Sequence, residues 1–394
     1  MPGALDGIRI LDLSNVVSGP MAVQILADQG ADVIKIEQPK SGDISRHFGE
    51  HRGGVTSIFT VLNRNKRSLV LDFGTSEAKE LFFKLVATAD VLVQNFRPGA
   101  MDRMGLSYNV LKEKKADLIY VSISGYGEDG PYSKRRAYDA MVQSATGYAA
   151  LQAHANNGEP DLVKNIVCDK VTALTASQAI TAALLARERG AGGQEVNLSM
   201  MDAGVSFVWP DGMWNNTLIG DGVKKMPQIL SYLKPTKTAD GYVTCAALSD
   251  EEWHSVCEGI DRLELATDPK YLTLSDRLEN WGDMMAELAD ACGSLTTEEM
   301  CARMEAADAP YAKVTEIEDL HEDLQIQHQN SLTEVTHPHG GPIRMPNPVA
   351  RFKKTPSEIR NLSPMLGEHT DDVLGELGLA EEEIAALRSA GVIE

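Results

Sequence analysis

Asp169 heads a long run of good helix formers, Asp169-Lys-Val-Thr-Ala-Leu-Thr-Ala-Ser-Gln-Ala-Ile-Thr-Ala-Ala-Leu-Leu-Ala-Arg187, and the residues before it, Lys164-Asn-Ile-Val-Cys168, read as extended. A carboxylate at a strand-to-helix corner is placed to act as a nucleophile. Aspartate is equally an ordinary helix N-cap, and these residues by themselves leave both readings open. Cys168 is a second nucleophile by type. No histidine lies near it in sequence, so it reads as a buried apolar cysteine. Basic residues gather before residue 140: Arg64, Lys66 and Arg67, then Arg97 and Arg103 around a Pro-Gly turn, then Lys134-Arg-Arg136 ahead of Tyr138. At the ends of elements such groups suit a phosphate-bearing ligand. His337-Pro-His339-Gly-Gly has no third ligand nearby and reads as a turn, so no metal site is expected.

These residues need elements to position them. Ile8–Leu13, Asp32–Glu37, Ser68–Asp72, Val91–Val93 and Leu118–Ser122 are compact apolar strands. Helices opening at Ser18 and Thr75 alternate with them, which predicts βαβ units and a parallel sheet. Asp139–Leu151 and Asp169–Arg189 read as helices, Gln194–Ser199 as a strand, and Met200 opens another helix. Near residue 225 the texture changes to a hairpin over Thr236–Leu248 and then acidic helices. The expected layout is a large α/β domain with a Rossmann-like parallel sheet over 1–224, a smaller α+β domain over 225–330, and a C-terminal segment, 331–394, that returns to the large domain.

Composition bounds the function. The chain has 394 residues, 43% of them hydrophobic and 24% charged, with a formal net charge of −20. That charge argues against a nucleic-acid partner. No apolar run approaches the ~18 residues of a membrane span. Five cysteines without C-x-x-C spacing suggest neither a disulfide framework nor zinc. With no secretory pattern at Met1-Pro-Gly-Ala-Leu-Asp-Gly, a cytoplasmic protein is expected. Glu37 ends the second strand as a ribose-binding acid would, but Ser14-Asn-Val-Val-Ser-Gly-Pro20 lacks G-x-G-x-x-G. Neither a P-loop nor a G-x-S-x-G elbow is present.

Eight stretches together resemble class III CoA-transferases, a family that includes formyl-CoA transferase, crotonobetainyl-CoA transferases and the α-methylacyl-CoA racemases. They are Leu5-Asp-Gly-Ile-Arg-Ile-Leu-Asp-Leu13, Gly30-Ala-Asp-Val-Ile-Lys-Ile-Glu37, Asn65-Lys-Arg-Ser-Leu-Val-Leu-Asp72, Asn95-Phe-Arg-Pro-Gly99, Met101-Asp-Arg-Met-Gly105, Gly125-Tyr-Gly-Glu-Asp-Gly-Pro-Tyr132, Gly193-Gln-Glu-Val-Asn-Leu-Ser-Met-Met-Asp202 and Leu366-Gly-Glu-His-Thr-Asp371.

The resemblance implies that Asp169 is the catalytic carboxylate, forming first an aspartyl acyl anhydride and then an aspartyl-CoA thioester. It implies CoA contacts at Val17, Leu71, Asn95, Phe96, Arg103, Arg136, Tyr138 and Met200. For Val17, Leu71, Phe96 and Met200, ordinary core packing is the competing reading. The substrates are an acyl-CoA and a small carboxylic acid, with no tightly bound cofactor, and the assembly is an interlocked homodimer. Racemases of this fold carry Gly-His-Asp where this chain has Ala137-Tyr138-Asp139. A tyrosine phenol, ordinarily near a pKa of about 10, is a poor base at neutral pH, so transfer is expected over racemisation. Formyl-CoA transferase carries a glycine-rich loop in its small domain. Between 225 and 260 no such loop is found, and the chain reads Leu230-Ser-Tyr-Leu-Lys-Pro-Thr236. Formyl-CoA:oxalate exchange and a loop lid are therefore not expected.

Overall fold

The computed structural model describes residues 2–153, 158–225 and 234–394. The contrast drawn above from Leu230-Ser-Tyr-Leu233 thus lies outside the described residues. The chain divides into two compact units, one of residues up to Asp211 together with Gln327–Glu394, the other Gly212–Ile326.

The larger unit is built on six parallel strands: β1 (Arg9–Asp12), β2 (Asp32–Glu37), β3 (Lys66–Val70), β4 (Val91–Gln94), β5 (Ile119–Ser124) and β6 (Gln194–Ser199). Their order across the sheet is β3-β2-β1-β4-β5-β6, with every neighbouring pair parallel. A parallel sheet is covered on both faces, so its strands read as continuous apolar runs. Alternate side chains go opposite ways. Leu11, Ile34, Leu69 and Leu92 pack with Phe82, Leu85, Leu374 and Ile393. Ile10, Val33, Val91 and Val121 pack with Ala22, Leu26, Ala173, Ala176 and Ile180. The first group receives helix α2 (Ser76–Thr88), N-capped by the Thr75 hydroxyl. The second receives α1 (Ser18–Asp28) and α4 (Val167–Ala186), whose facing alanines let the two helices approach closely.

The Asp139–Leu151 stretch is two short helices rather than one. Helix α3 (Asp139–Ala145) ends where Gly147 takes φ +90°, a conformation that favours glycine. Helix α5 (Met200–Gly212) follows β6 directly. Leu332–His337 and Gly341–Pro346 form a hairpin.

The smaller unit has a three-stranded antiparallel sheet of Thr236–Lys237, Tyr242–Cys245 and Tyr311–Lys313. Helices Asp250–Gly259, Leu274–Glu279 and Thr297–Ala306 each open with a capping box, Ser249 with Glu252, Thr273 with Asp276 and Thr296 with Glu299. Trp253, Cys257, Met284, Leu288, Met300 and Met304 fill its core. Among the described residues no helix is long and apolar enough to cross a membrane.

Candidate active site

Strand order reverses between β1 and β4, and in open parallel sheets ligands bind in the crevice beyond the strand ends at that point. A cleft of about 330 Å³ opens there, lined by Asn15, Ser18, Asn95, Phe96, Arg97, Gly125, Arg136, Tyr138, Asp169 and Met200 among others. Two loops meet across the reversal through a reciprocal amide pair. The Asn15 N–H donates to Asn95 Oδ1 at 2.8 Å, and Asn95 Nδ2 donates to the Asn15 carbonyl at 2.7 Å.

Asp169 is not at a strand-to-helix corner. The residues before Val167 form no strand, because the Gln143 side chain occupies their backbone groups. Its Oε1 accepts from the Val163 N–H at 2.9 Å, and its Nε2 donates to the Val163 and Asn165 carbonyls. Helix α4 begins at Val167 with Ile166 at its N-cap, so Asp169 stands third in the first turn. Its N–H, one of the four orphan donors of a helix start, is satisfied by Asp139 Oδ2 at 3.0 Å. The cap of this helix is therefore Asp139, which itself accepts from Gln143 Nε2. The Asp169 carboxylate is left for the cleft, which Ser18 at the start of α1 also lines. Burial first, and then the Asp139 charge, push its carboxyl up to about 6, against the pull of Ser18. A helix start favours an ionised carboxylate, and here burial outweighs it. Cys168 is fully buried beside Val142, Tyr148 and Met200, and burial pushes its thiol up to about 12. It is no competing nucleophile.

The other expected site residues separate into groups. Asn95, Phe96, Arg136, Tyr138 and Met200 line the cleft with Asp169. Tyr138 is 64% exposed, while Met200 also packs into the core behind Asp169. Val17 is the buried N-cap residue of α1. Leu71 has no exposed surface and sits in the core with Phe82 and Ile393. Arg103 stands on the short helix Ala100–Met104, its guanidinium beside Gly99.

One basic cluster serves the fold instead of a phosphate. Arg64 binds Asp28 at 2.8 Å, Lys66 binds Asp12 at 2.8 Å, and Arg67 joins Asp32 and Glu376. By contrast Arg97, Arg135 and Arg136 reach the cleft, with Arg135 stacked over Tyr132. His337 is buried in its hairpin. It accepts from the His339 and Gly340 N–H groups through Nδ1 and donates to the Ser363 carbonyl through Nε2.

Sequence reading missed Ser18, Asn15 and Asp139. Their signal was weak, a serine inside a helix start and one acid among many. A fourth is Gly125, where an added Cβ would lie 2.2 Å from the Cβ of Ala137. That close approach packs Gly125 against the residue between Arg136 and Tyr138, both of which line the cleft. Gly125→Ala is expected to lower stability by about 1–3 kcal/mol through overpacking, as read by a melting curve.

The family model for CoA-transferase family III matches residues 5–370. An acyl-CoA transferase of Fusarium pseudograminearum is 34% identical over 407 residues, spanning 99% of this chain and 88% of that one. A formyl-CoA:oxalate CoA-transferase of Escherichia coli O6:H1 is 32% identical, spanning 98% and 99%. The crystal structure of a CAIB/BAIF family protein from Brucella suis superposes with a TM-score of 0.83 at 30% identity, covering 96% of this chain and all of that one. With the parallel sheet, the cleft at its switch point and a match over nearly its whole length, the chain belongs to CoA-transferase family III.

Proposed function

We propose that this chain moves CoA from an acyl-CoA donor to a carboxylic acid acceptor, with Asp169 as the covalent relay. The observation that carries the reading is the placement of Asp169, a partly buried carboxylate in the switch-point cleft, facing one helix start and standing in another.

An Asp169 oxygen attacks the thioester carbonyl, the C–S bond breaks, and an aspartyl acyl anhydride and CoA thiolate result. The thiolate then attacks the aspartyl carbon, and the donor acid leaves with the bridging oxygen. The aspartyl-CoA thioester is next attacked by the acceptor carboxylate, giving a second anhydride. Thiolate attack on the acceptor's acyl carbon yields the new acyl-CoA and returns Asp169. Every step is an acyl exchange, so no oxidant or metal is required. Splitting one difficult exchange into four depends on holding the thiolate close throughout.

Asn95, Phe96, Arg136, Tyr138 and Met200 form the CoA side of the cleft, with Arg97 and Arg136 supplying positive charge for its phosphates. Val17, Leu71 and Arg103 complete the set through the β1–α1 turn, the core beneath it and the Pro-Gly rim. CoA comes and goes as substrate, and the protein works as an interlocked homodimer, which sedimentation of the purified chain tests. Tyrosine at 138, where a racemase has its histidine base, favours transfer.

Incubation with an acyl-CoA (acetyl, succinyl, formyl and crotonobetainyl in turn) followed by hydroxylamine is expected to place a hydroxamate on the Asp169 peptide. Turnover with Asp169 left unmodified in every trapping experiment would count against the relay. The same donors against a panel of free acids identify the substrate pair.

A further inference from the structure

Strands β1 and β4 run side by side as far as Asp12 and Val93, and a last backbone rung joins the Leu13 N–H to the Val93 carbonyl at 2.9 Å. Beyond that rung the two chains part, because the strand order reverses here and the cleft opens between them. Asn95, the first residue after β4, bridges the gap with its side chain. A primary amide offers a donor and an acceptor in one plane, as a peptide group does. Asn95 Oδ1 accepts from the Asn15 N–H at 2.8 Å, and Asn95 Nδ2 donates to the Asn15 carbonyl at 2.7 Å, which adds a side-chain rung to the ladder. Its neighbour Gln94 reaches the other way. Gln94 Nε2 donates to Ser122 Oγ on β5 at 2.9 Å, and Gln94 Oε1 accepts from the Phe96 N–H at 2.8 Å. Two consecutive amides thus tie both flanking loops to the end of β4.

The turn that Asn95 holds is strained. Val16 takes φ +68°, a left-handed conformation that is a genuine outlier for a β-branched residue. Buried charges hold the residues on each side of Asn15. The Asp43 carboxylate accepts from the Val16 N–H at 3.1 Å, and Lys35 Nζ donates to the Ser14 carbonyl at 2.8 Å and pairs with Asp43 at 2.9 Å. Asn15 itself is fixed at both of its backbone groups by Asn95. Asn15, Val16 and Ser18 then line the cleft together with Asp169. Asn95 lines it too, yet both ends of its amide are already engaged within the protein.

We propose that Asn95 is a positioning residue, its amide acting on the acyl exchange through the β1–α1 turn and not by binding CoA. The inference deepens the relay reading and rests on it. Each exchange needs Asp169, the thiolate and an acyl carbon at attack distance, and a misplacement of about 1 Å costs about 10²-fold in rate. The turn puts three cleft-lining residues on one strained bend. Strain of this kind persists only while the surroundings over-determine it. Without the Asn95 rung, Asn15 is released between its two anchored neighbours, and that wall of the cleft shifts. Phe96 keeps its place through Gln94, and Arg136 stands on another loop, so the groups left to hold CoA are undisturbed.

The test separates affinity from rate in the full-length protein. Calorimetric titration with CoA itself reads affinity. Rapid mixing with whichever of acetyl-, succinyl-, formyl- or crotonobetainyl-CoA the protein turns over, with no acceptor acid present, reads growth of the Asp169–CoA adduct by intact mass. Asn95→Ala is expected to bind CoA within about threefold of the wild type and, at saturating acyl-CoA, to form the adduct about 10²-fold more slowly. Hydrogen exchange of the ligand-free variant is expected to quicken by about tenfold or more at the Asn15 amide and to stay unchanged along β1. Asn95→Asp keeps the acceptor for the Asn15 N–H and loses the donor, so its exchange there should fall between. Asn15 and Asn95 are half-buried, so water can reach the freed groups and the variants should fold, as melting temperatures check. Should Asn95→Ala not fold, the near-isosteric Asn95→Asp carries the rate and exchange comparisons. If Asn95→Ala binds CoA about tenfold or more weakly while exchange at Asn15 is unchanged, the amide is a CoA contact and the inference is wrong. It is equally wrong if the adduct forms within about threefold of the wild-type rate. If the wild-type protein turns over a donor yet forms no adduct on Asp169, or turns over none of the four, the relay reading fails and the effect on rate falls with it. Affinity and exchange then still decide whether the amide serves the turn or CoA.

Discussion

Asp169→Asn is expected to leave the fold intact and to lower exchange of labelled CoA between two acids by about 10³-fold or more, since the proposed relay loses its nucleophile. The amide has nearly the same shape as the carboxylate, so the loss is chemical. The wild-type pH profile carries the same signature. Attack needs the ionised carboxylate, and burial and Asp139 push that group up to about 6. Activity should therefore rise with pH through a limb near 6, well above the range of an ordinary aspartate. A limb near 4 would mean that Asp169 is solvated in the working enzyme.

The shift has a stability counterpart with a definite sign. A carboxyl whose folded pKa is raised favours the fold fully below its unfolded value near 4, and that contribution is lost as pH rises through about 6. Asparagine carries no such charge. At pH 7–8 the variant should accordingly be more stable than the wild type by roughly 2–3 kcal/mol, and at pH 3.5 the two should match. Urea midpoints at the two pH values check this. An active site that destabilises its own protein in this way is a familiar trade of stability for function.

Asp12→Ala is expected to be the most destabilising single change, by about 3–5 kcal/mol, because it leaves buried cations without their shared partner. Asp12, Lys35 and Lys66 have no exposed side-chain surface. Asp12 binds Lys66 at 2.8 Å, lies 3.8 Å from Lys35, and accepts from both the N–H and the hydroxyl of Ser14. Burial works against each of these charges. For Asp12 the two lysines outweigh it and hold the carboxyl below its ordinary range, whereas burial takes Lys66 down to about 8. The Asp12 contribution is present above the unfolded aspartate value and is lost as pH falls through the lowered folded one. The variant should therefore lose stability at neutral pH and show a flatter acid limb. Since Asp12 also fixes Ser14, two residues from the strained Val16, activity should fall even where the variant is folded. A loss below about 1 kcal/mol would mean that water or a rearranged partner replaces the carboxylate.

The sequence alone determined the βαβ alternation, because apolar runs of strand length and helical runs between them are local patterns. Ser18–Asp28, Asp32–Glu37 and Gln194–Ser199 fall where those patterns put them. The family resemblance also marked Asp169, Asn95, Phe96, Arg136, Tyr138 and Met200, and the tertiary structure gathers all six around one cleft. What only the tertiary structure decided is which charge meets which. Arg64, Lys66 and Arg67 look like Arg97 and Arg136 in sequence, yet burial beside Asp28, Asp12 and Asp32 gives the first three to the fold. Asp139 caps a helix it does not belong to, and Ser18 and Asp169 line one cleft from two different helices. A local pattern fixes where a side chain lies on its own element. Its partner, its burial and hence its pKa depend on elements distant in the chain, and those settle only when the sheet brings β1 and β4 side by side.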